Sequence, residues 1–358
     1  MIDVVVPVYK GVTQTRTCLE SVLASQNRAQ VEVVAIDDAS PEPAISEYLR
    51  GLAAQGRITL IAHAANRGFV ASVNEGMALH PDRDVTLLNS DTEVAAGWAD
   101  RILAHFDADP KIGTATPFSN NATICSYPRT LQSNPMPPGE TTASLDADFA
   151  LANPGRRIDI PTAVGFCMTI SRRCLDRVGL FDYERYGLGY GEEVDFCMRA
   201  ARAGFRNVLA GDVFVRHQGE VSFGGSGAER RAKAQATVDA LYPEFQQQLA
   251  RFIPADPARM MRRRADLARL RHDPLAIRYR IDDGGSAILD WPREGEDFIL
   301  WTDSLKDHER VFGLMKAITE PVPIPELEAR WLAPPVVPPL AANLPEPPGL
   351  LERLRRLF

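Results

Sequence analysis

The chain has no apolar run near the roughly 20 residues that a membrane-spanning helix needs, so an integral membrane protein is not expected. It has no CxxC pair. Its five cysteines, Cys18, Cys125, Cys167, Cys174 and Cys197, are scattered and odd in number, which argues against a disulfide framework and a thiolate zinc site. No GxxxxGK[ST] loop and no GxSxG elbow occur, so neither a P-loop nucleotidase nor an α/β-hydrolase serine nucleophile is present. Basic charge is not in excess: the net charge of −7 over 358 residues argues against a nucleic-acid partner. No internal repeat is visible. Met1-Ile2-Asp3 carries no basic head or small-residue cleavage site, so no secretory signal is expected, and a reduced, cytoplasmic protein is.

What is present is a globular composition, 45% hydrophobic and 24% charged, with length for one large domain and an appendage or for two domains. The first hundred residues alternate between two periods. Residues 2–8, 31–36, 58–62 and 85–88 are apolar, β-branched runs of the kind buried on both faces. Between them, residues 13–25, 44–54 and 68–79 place apolar side chains on one helical stripe. This alternation predicts a mostly parallel α/β sheet with helices on its faces, whose ligands bind at the carboxyl ends of the strands. Further on, residues 112–116, 162–170 and 208–215 read as strands and 192–203 as a helix. Residues 117–155, rich in Pro, Asn, Ser and Thr, read as long functional loops with one short helix. After residue 225 the expectation is a helix over 228–252, a basic helix over 259–271 with a solvated arginine face, a proline-rich arm over 321–348 and a short amphipathic helix over 350–358.

Acidic clusters fall where the predicted strands end. Asp37 and Asp38 follow the second strand. As an isolated pair they are turn or cap residues, but carboxylates there can also accept hydrogen bonds from a nucleoside. Asn89-Ser90-Asp91 follows the fourth strand, where Asp91 could hold Mg²⁺ or Mn²⁺. His217 follows a later strand, and Gly219 and residues 222–227 could close over a diphosphate. Glu192, Glu193 and Asp195 crowd a helix start, where acids complement the helix dipole, behind the Gly-rich approach of residues 187–191. That approach is not a dinucleotide fingerprint, since no clean strand leads into it and the acids would repel a pyrophosphate.

In order and spacing, the stretches Val6-Pro7-Val8-Tyr9, Ile36-Asp37-Asp38-Ala39-Ser40, Asn66-Arg67-Gly68-Phe69, Leu88-Asn89-Ser90-Asp91, Gly165-Phe166-Cys167, Gly179-Leu180-Phe181-Asp182, Gly191-Glu192-Glu193-Val194-Asp195 and Val215-Arg216-His217 resemble those of family 2 glycosyltransferases with the GT-A fold. The resemblance covers about residues 1–225, and residues 117–122 lean toward the rhamnosyltransferase-like branch. It implies an inverting, metal-dependent transfer from a nucleoside-diphosphate sugar, UDP- or dTDP-linked by preference, to a glycan or lipid-linked glycan hydroxyl in bacterial surface polysaccharide or glycoconjugate assembly. Asp37 and Asp38 would contact the nucleoside. Pro7, Tyr9, Asn66, Arg67, Gly68, Asn89, Gly165 and Glu192 would line the substrate site. Asp91 and His217 would hold the cation, with Asn89 standing where the family's first DxD aspartate falls. Glu193, in place of the usual aspartate, would be the base, with Asp195 next in line.

The resemblance sets a GT-A domain over 1–225, and the change of sequence character beyond it sets a helical extension over 226–275 and an appendage over 276–358. Two other classes compete. A nucleotidyltransferase would need a Gly-rich basic loop after the first strand, where this chain has only Lys10. A catalytically reduced glycan-binding scaffold draws on the Asn89 and Glu193 departures. The terminal basic helix reads more simply as packing on the body or on the partner in a homodimer than as peripheral contact with the inner membrane face.

Overall fold

The computed structural model describes residues 1–137, 139–187, 189–219, 227–270, 278–281, 287–291 and 296–301. Its strands are β1 (Ile2–Val8), β2 (Val31–Asp37), β3 (Thr59–Ala62), β4 (Asp84–Leu88), β5 (Thr92–Glu93), β6 (Ile112–Phe118), β7 (Arg157–Asp159), β8 (Cys167–Ile170), β9 (Arg206–Phe214), β10 (Arg216–His217), β11 (Arg278–Ile281), β12 (Ala287–Trp291) and β13 (Glu296–Trp301). The helices are α1 (Val12–Ala24), α2 (Pro43–Ala54), α3 (Phe69–Met77), α4 (Trp98–Ala108), α5 (Thr142–Ala152), α6 (Arg172–Val178), α7 (Tyr183–Tyr186), α8 (Glu192–Arg202), α9 (Gly227–Leu241), α10 (Pro243–Ala255) and α11 (Arg259–Leu270).

One eight-stranded sheet runs β3-β2-β1-β4-β8-β6-β9-β7. Strands β3, β2, β1 and β4 are parallel, β8 is antiparallel to both β4 and β6, and β6 and β9 are again parallel. This mostly parallel, helix-flanked sheet is the GT-A architecture. Alternation along β1 divides the interior: Val4, Val6 and Val8 join one core with Leu19, Trp98 and Phe149, while Val5 joins the other with Val70, Met77 and Phe196. A separate antiparallel sheet, β11-β12-β13, falls within the appendage expected over 276–358.

Several expectations need correction. The helix over 228–252 is two helices, α9 and α10, because Pro243 lacks an amide hydrogen and pushes Tyr242 out of the helical region, to φ −135° and ψ 64°. The strand over 162–170 shortens to β8, leaving Gly165 and Phe166 as a loop at the carboxyl end of β4. The 117–155 region carries one α-helix, as its sequence led to expect. It completes β6, makes a 3₁₀ turn at Thr123–Cys125, and carries the 11-residue α5, whose capping box is formed by Thr141 and Ser144.

The basic helix α11 does not present a solvated arginine face. Arg262, Arg264 and Arg269 are buried. Arg269 donates to the Tyr127 hydroxyl (2.8 Å) and reaches Glu140 (3.3 Å), while that hydroxyl donates to Asp266 (2.7 Å). Gly211 lets the helix approach, since a Cβ there would lie 2.6 Å from the Met261 sulfur. Helices α9 to α11 thus complete both cores of the GT-A body, with Val238, Tyr242, Phe245 and Leu249 in one and Met261 and Ala265 in the other. The proline-rich arm, the terminal amphipathic helix and nearly all of the glycine stretch at 222–227 lie outside the described residues. Among the described residues, no helix is long and apolar enough to cross a membrane.

Candidate active site

The site forms at the carboxyl ends of the central strands. Just past β4, the two-residue β5 pairs antiparallel with β10, setting His217 opposite Thr92. This ladder brings the His217 Nε2 to 3.4 Å from the Asp91 carboxylate and 3.5 Å from the Asn89 side-chain nitrogen. The Gly219 amide donates to the other Asp91 oxygen at 2.9 Å. Burial works against the ionised form of Asp91, but His217 and the Gly219 amide outweigh it and hold the carboxyl below its ordinary range. The His217 Nδ1 lies 2.7 Å from the Asn121 carbonyl. A carbonyl only accepts, so Nδ1 carries a hydrogen and Nε2 is the ring nitrogen turned toward Asp91. A carboxylate oxygen beside an imidazole nitrogen so oriented fits a divalent cation such as Mn²⁺ or Mg²⁺.

The Gly165-Phe166 loop joins this pair to the acidic helix start. The Phe166 carbonyl accepts from the Asn89 amide (2.9 Å), and its ring stacks on His217 at 5.2 Å between centroids. A side chain on Gly165 would lie 3.9 Å from a Glu193 oxygen. Gly191, at φ 86°, starts α8, and Tyr190 before it also sits in the left-handed region at φ 77°. Glu192 is buried and Glu193 half-buried, each with one carboxylate oxygen that has no hydrogen-bond partner among the described residues. Burial raises both, and the charge of Glu193 pushes Glu192 further. For Glu193, desolvation outweighs the amides of the helix start. Asp195 is already committed. One oxygen accepts from the Tyr242 hydroxyl (2.6 Å) and the other from Arg199 (2.8 Å), tying α8 to the α9–α10 junction.

At the other end of the sheet's active edge, Asp37 and Asp38 are buried and serve the loops around them. Asp37 accepts from the Ser40 amide (2.9 Å) and the Ser46 hydroxyl. Asp38 accepts from the amides of Arg67 (2.7 Å) and Gly68 (2.8 Å) and binds His63 (2.7 Å). Pro7 and Tyr9 are half-buried at the end of β1, and Asn66 is exposed. The Arg67 guanidinium, 53% exposed, pairs with Glu75. Glu42 reaches the first amides of the α1 segment, at Gly11 (3.1 Å) and Val12 (3.2 Å), so a carboxylate fills the place where a nucleotidyltransferase-type phosphate loop would act.

Sequence reasoning passed over Asn120 and Asn121, which grip His217, and Tyr242, which occupies Asp195. The only signal for the first two was a pair of asparagines at the end of a central strand. All five cysteines are free and buried. Burial pushes the Cys18, Cys125 and Cys174 thiols up to about 12 and Cys197 to about 11, so none is a nucleophile at neutral pH. A second acidic cluster, Asp3, Glu32 and His80, lies at the opposite ends of β1 and β2. There Arg83 already sits between Asp3 (2.9 Å) and Glu32, filling the position a cation would take.

Among proteins of known identity, the chain is 29% identical over 209 residues to the pre-mycofactocin glycosyltransferase of two Mycobacterium tuberculosis strains, CDC 1551 / Oshkosh and ATCC 25618 / H37Rv, covering 57% of this chain and 40% of theirs. It thus spans less than half the length of these curated relatives. Among solved structures, it superposes on GalNAc-T7 in complex with UDP, GalNAc and Mn²⁺ with a TM-score of 0.51 at 17% identity, covering 81% of this chain and 64% of that one, a likeness of fold. The Glycosyl transferase family 2 profile matches residues 3–179.

Proposed function

We propose that the protein is an inverting glycosyltransferase that moves a hexosyl or deoxyhexosyl group from a nucleoside-diphosphate sugar to the hydroxyl of a glycan or lipid-linked glycan. The observation that carries this reading is the convergence of Asp91, His217 and Glu193 about one loop, Gly165-Phe166, from segments spread over more than a hundred residues of chain. The family 2 profile match and the sugar-transferring relatives support it. Residues 117–122 support a place in the rhamnosyltransferase-like branch and in bacterial surface polysaccharide or glycoconjugate assembly.

The chain's own residues divide the work. The nucleoside lies at the ends of β1 and β2, beside Pro7, Tyr9, Asp37 and Asp38, in a pocket whose Asn66-Arg67-Gly68 wall is held by the two amide bonds to Asp38. Arg67, more than half exposed, exchanges Glu75 for the donor phosphates. Asp91 and His217 hold a divalent cation, with the Asn89 amide beside them. The bound cation would supply Lewis-acid compensation for charge on the departing diphosphate. Glu193 takes the proton of the acceptor hydroxyl as that oxygen attacks the anomeric carbon from the opposite face. One displacement inverts the configuration. A carboxyl raised by burial is a stronger base than a solvated one, and the charge of Glu193 raises the neighbouring Glu192 further. Asp195 is a structural partner of Tyr242.

Calorimetry with UDP, dTDP and GDP, each with and without Mn²⁺ or Mg²⁺, tests the reading on wild type and Asp91→Ala. Metal-dependent binding of one nucleotide, lost in Asp91→Ala, is expected. No binding by folded wild type to any of them overturns it in favour of a non-catalytic scaffold.

A further inference from the structure

The imidazole of His217 is held on three sides. Asn120, buried, uses its side-chain amide as a second peptide group: its oxygen accepts from the His217 amide (2.9 Å) and its nitrogen donates to the His217 carbonyl (3.0 Å). The second hydrogen of that nitrogen goes to the Asn134 carbonyl (3.1 Å). Both donors and the acceptor of the amide are thus satisfied, which is what a buried primary amide needs to lower rather than raise the energy of a site. The next residue, Asn121, accepts the Nδ1 hydrogen through its carbonyl, and Phe166 lies flat against the ring. Asn134 closes the loop behind them. Its side chain donates to the carbonyls of Asn120 (3.2 Å), Arg129 (2.8 Å) and Gln132 (3.2 Å).

The two-residue ladder of β5 and β10 is too short to fix a side-chain direction by itself. Peptide groups that bond the ladder leave the ring free to turn about its own torsions. The clasp removes that freedom: main chain, Nδ1 and ring face are each engaged, and the Nε2 corner is left toward Asp91 and Asn89. We infer that Asn120 is a positioning residue for the cation site, clasping the main chain of His217 so that the Asn121 carbonyl sets its tautomer and its Nε2 stands ready beside Asp91. This rests on the transferase reading above, and it makes the loop of residues 119–134 an outer shell of the site. Outer partners of this kind govern metal affinity by about 10- to 100-fold.

The test is a double-mutant cycle read by Mn²⁺ binding, using electron paramagnetic resonance of the full chain with UDP, dTDP and GDP in turn. The variants are wild type, Asn120→Ala, His217→Ala and the double variant, with thermal melts to establish folding. Asn120→Ser replaces the alanine variant if that one does not fold. Asn120→Ala is expected to weaken Mn²⁺ binding about tenfold or more, and to cause no further loss in the His217→Ala background. Unchanged Mn²⁺ affinity in Asn120→Ala overturns the inference alone, and so does an equal loss in both backgrounds, which would mark a general structural role. Wild type that binds no Mn²⁺ with any nucleotide overturns the transferase reading and the inference together.

Discussion

Glu192 and Glu193 show how far a neighbourhood departs from a residue's ordinary chemistry. Acids in a first helical turn are ordinarily stabilised by the helix dipole, yet here burial raises both carboxyls. A group raised on folding binds its proton more tightly in the folded chain. Its contribution is complete below the unfolded value near 4.3 and is lost as pH rises through the folded value. Glu192→Gln keeps the shape without the charge, so it should melt higher than wild type at neutral pH by about 1 kcal/mol, with the gain vanishing toward pH 4. Melting curves across pH check this, and a difference that does not change with pH would refute it. The base must be ionised to act, so the acid limb of the transfer rate should lie above the ordinary glutamate value. Gly219→Ala poses a separate residue-scale test. Gly219 has φ 75°, and a Cβ would fall 2.2 Å from the Asn121 side chain. The expected cost is about 1–2 kcal/mol from the left-handed backbone, with weakened nucleotide–metal binding because the Gly219 amide bonds Asp91. Parallel denaturation and calorimetry would show the two losses together.

Among the elements, α8 depends on a tie that its own sequence does not reveal. Its acidic first turn faces both the site and the α9–α10 junction, where the Tyr242 hydroxyl meets Asp195. Tyr242→Phe removes that donor and leaves a buried carboxylate bonded to Arg199. A stability loss of about 1–3 kcal/mol in urea titration is the expected result. Transfer activity should persist near wild type, since Glu193 is untouched. If instead activity fell as in Glu193→Gln with stability intact, Asp195 rather than Glu193 would be the base. Elements with strong periods were legible in the sequence: β1, β2, α2 and α8 follow runs of β-branched residues or single apolar stripes. Among those that were not legible, β5 and β10 have two residues each and no period to detect.

On the scale of the whole molecule, the sequence boundary at residue 225 cuts through two cores. Phe245 and Leu249 of α10 and Met261 and Ala265 of α11 are buried among side chains from the first 225 residues. A fragment of residues 1–225 should therefore bind a hydrophobic dye and melt without a cooperative transition, while residues 1–275 should melt cooperatively. A cooperative transition in the shorter fragment would restore the boundary. What sequence by itself determined is the alternation that makes a mostly parallel sheet, and the acids at its strand ends, because periodicity and strand-end position are local properties of the chain. Which acids are free for chemistry was decided only by tertiary structure. Asp38 and Asp195 are taken up by partners, and Asp91 meets His217 through a ladder between distant segments. Hydrogen-bond partners and burial, which set a carboxylate's role, are contributed by residues far away in the chain.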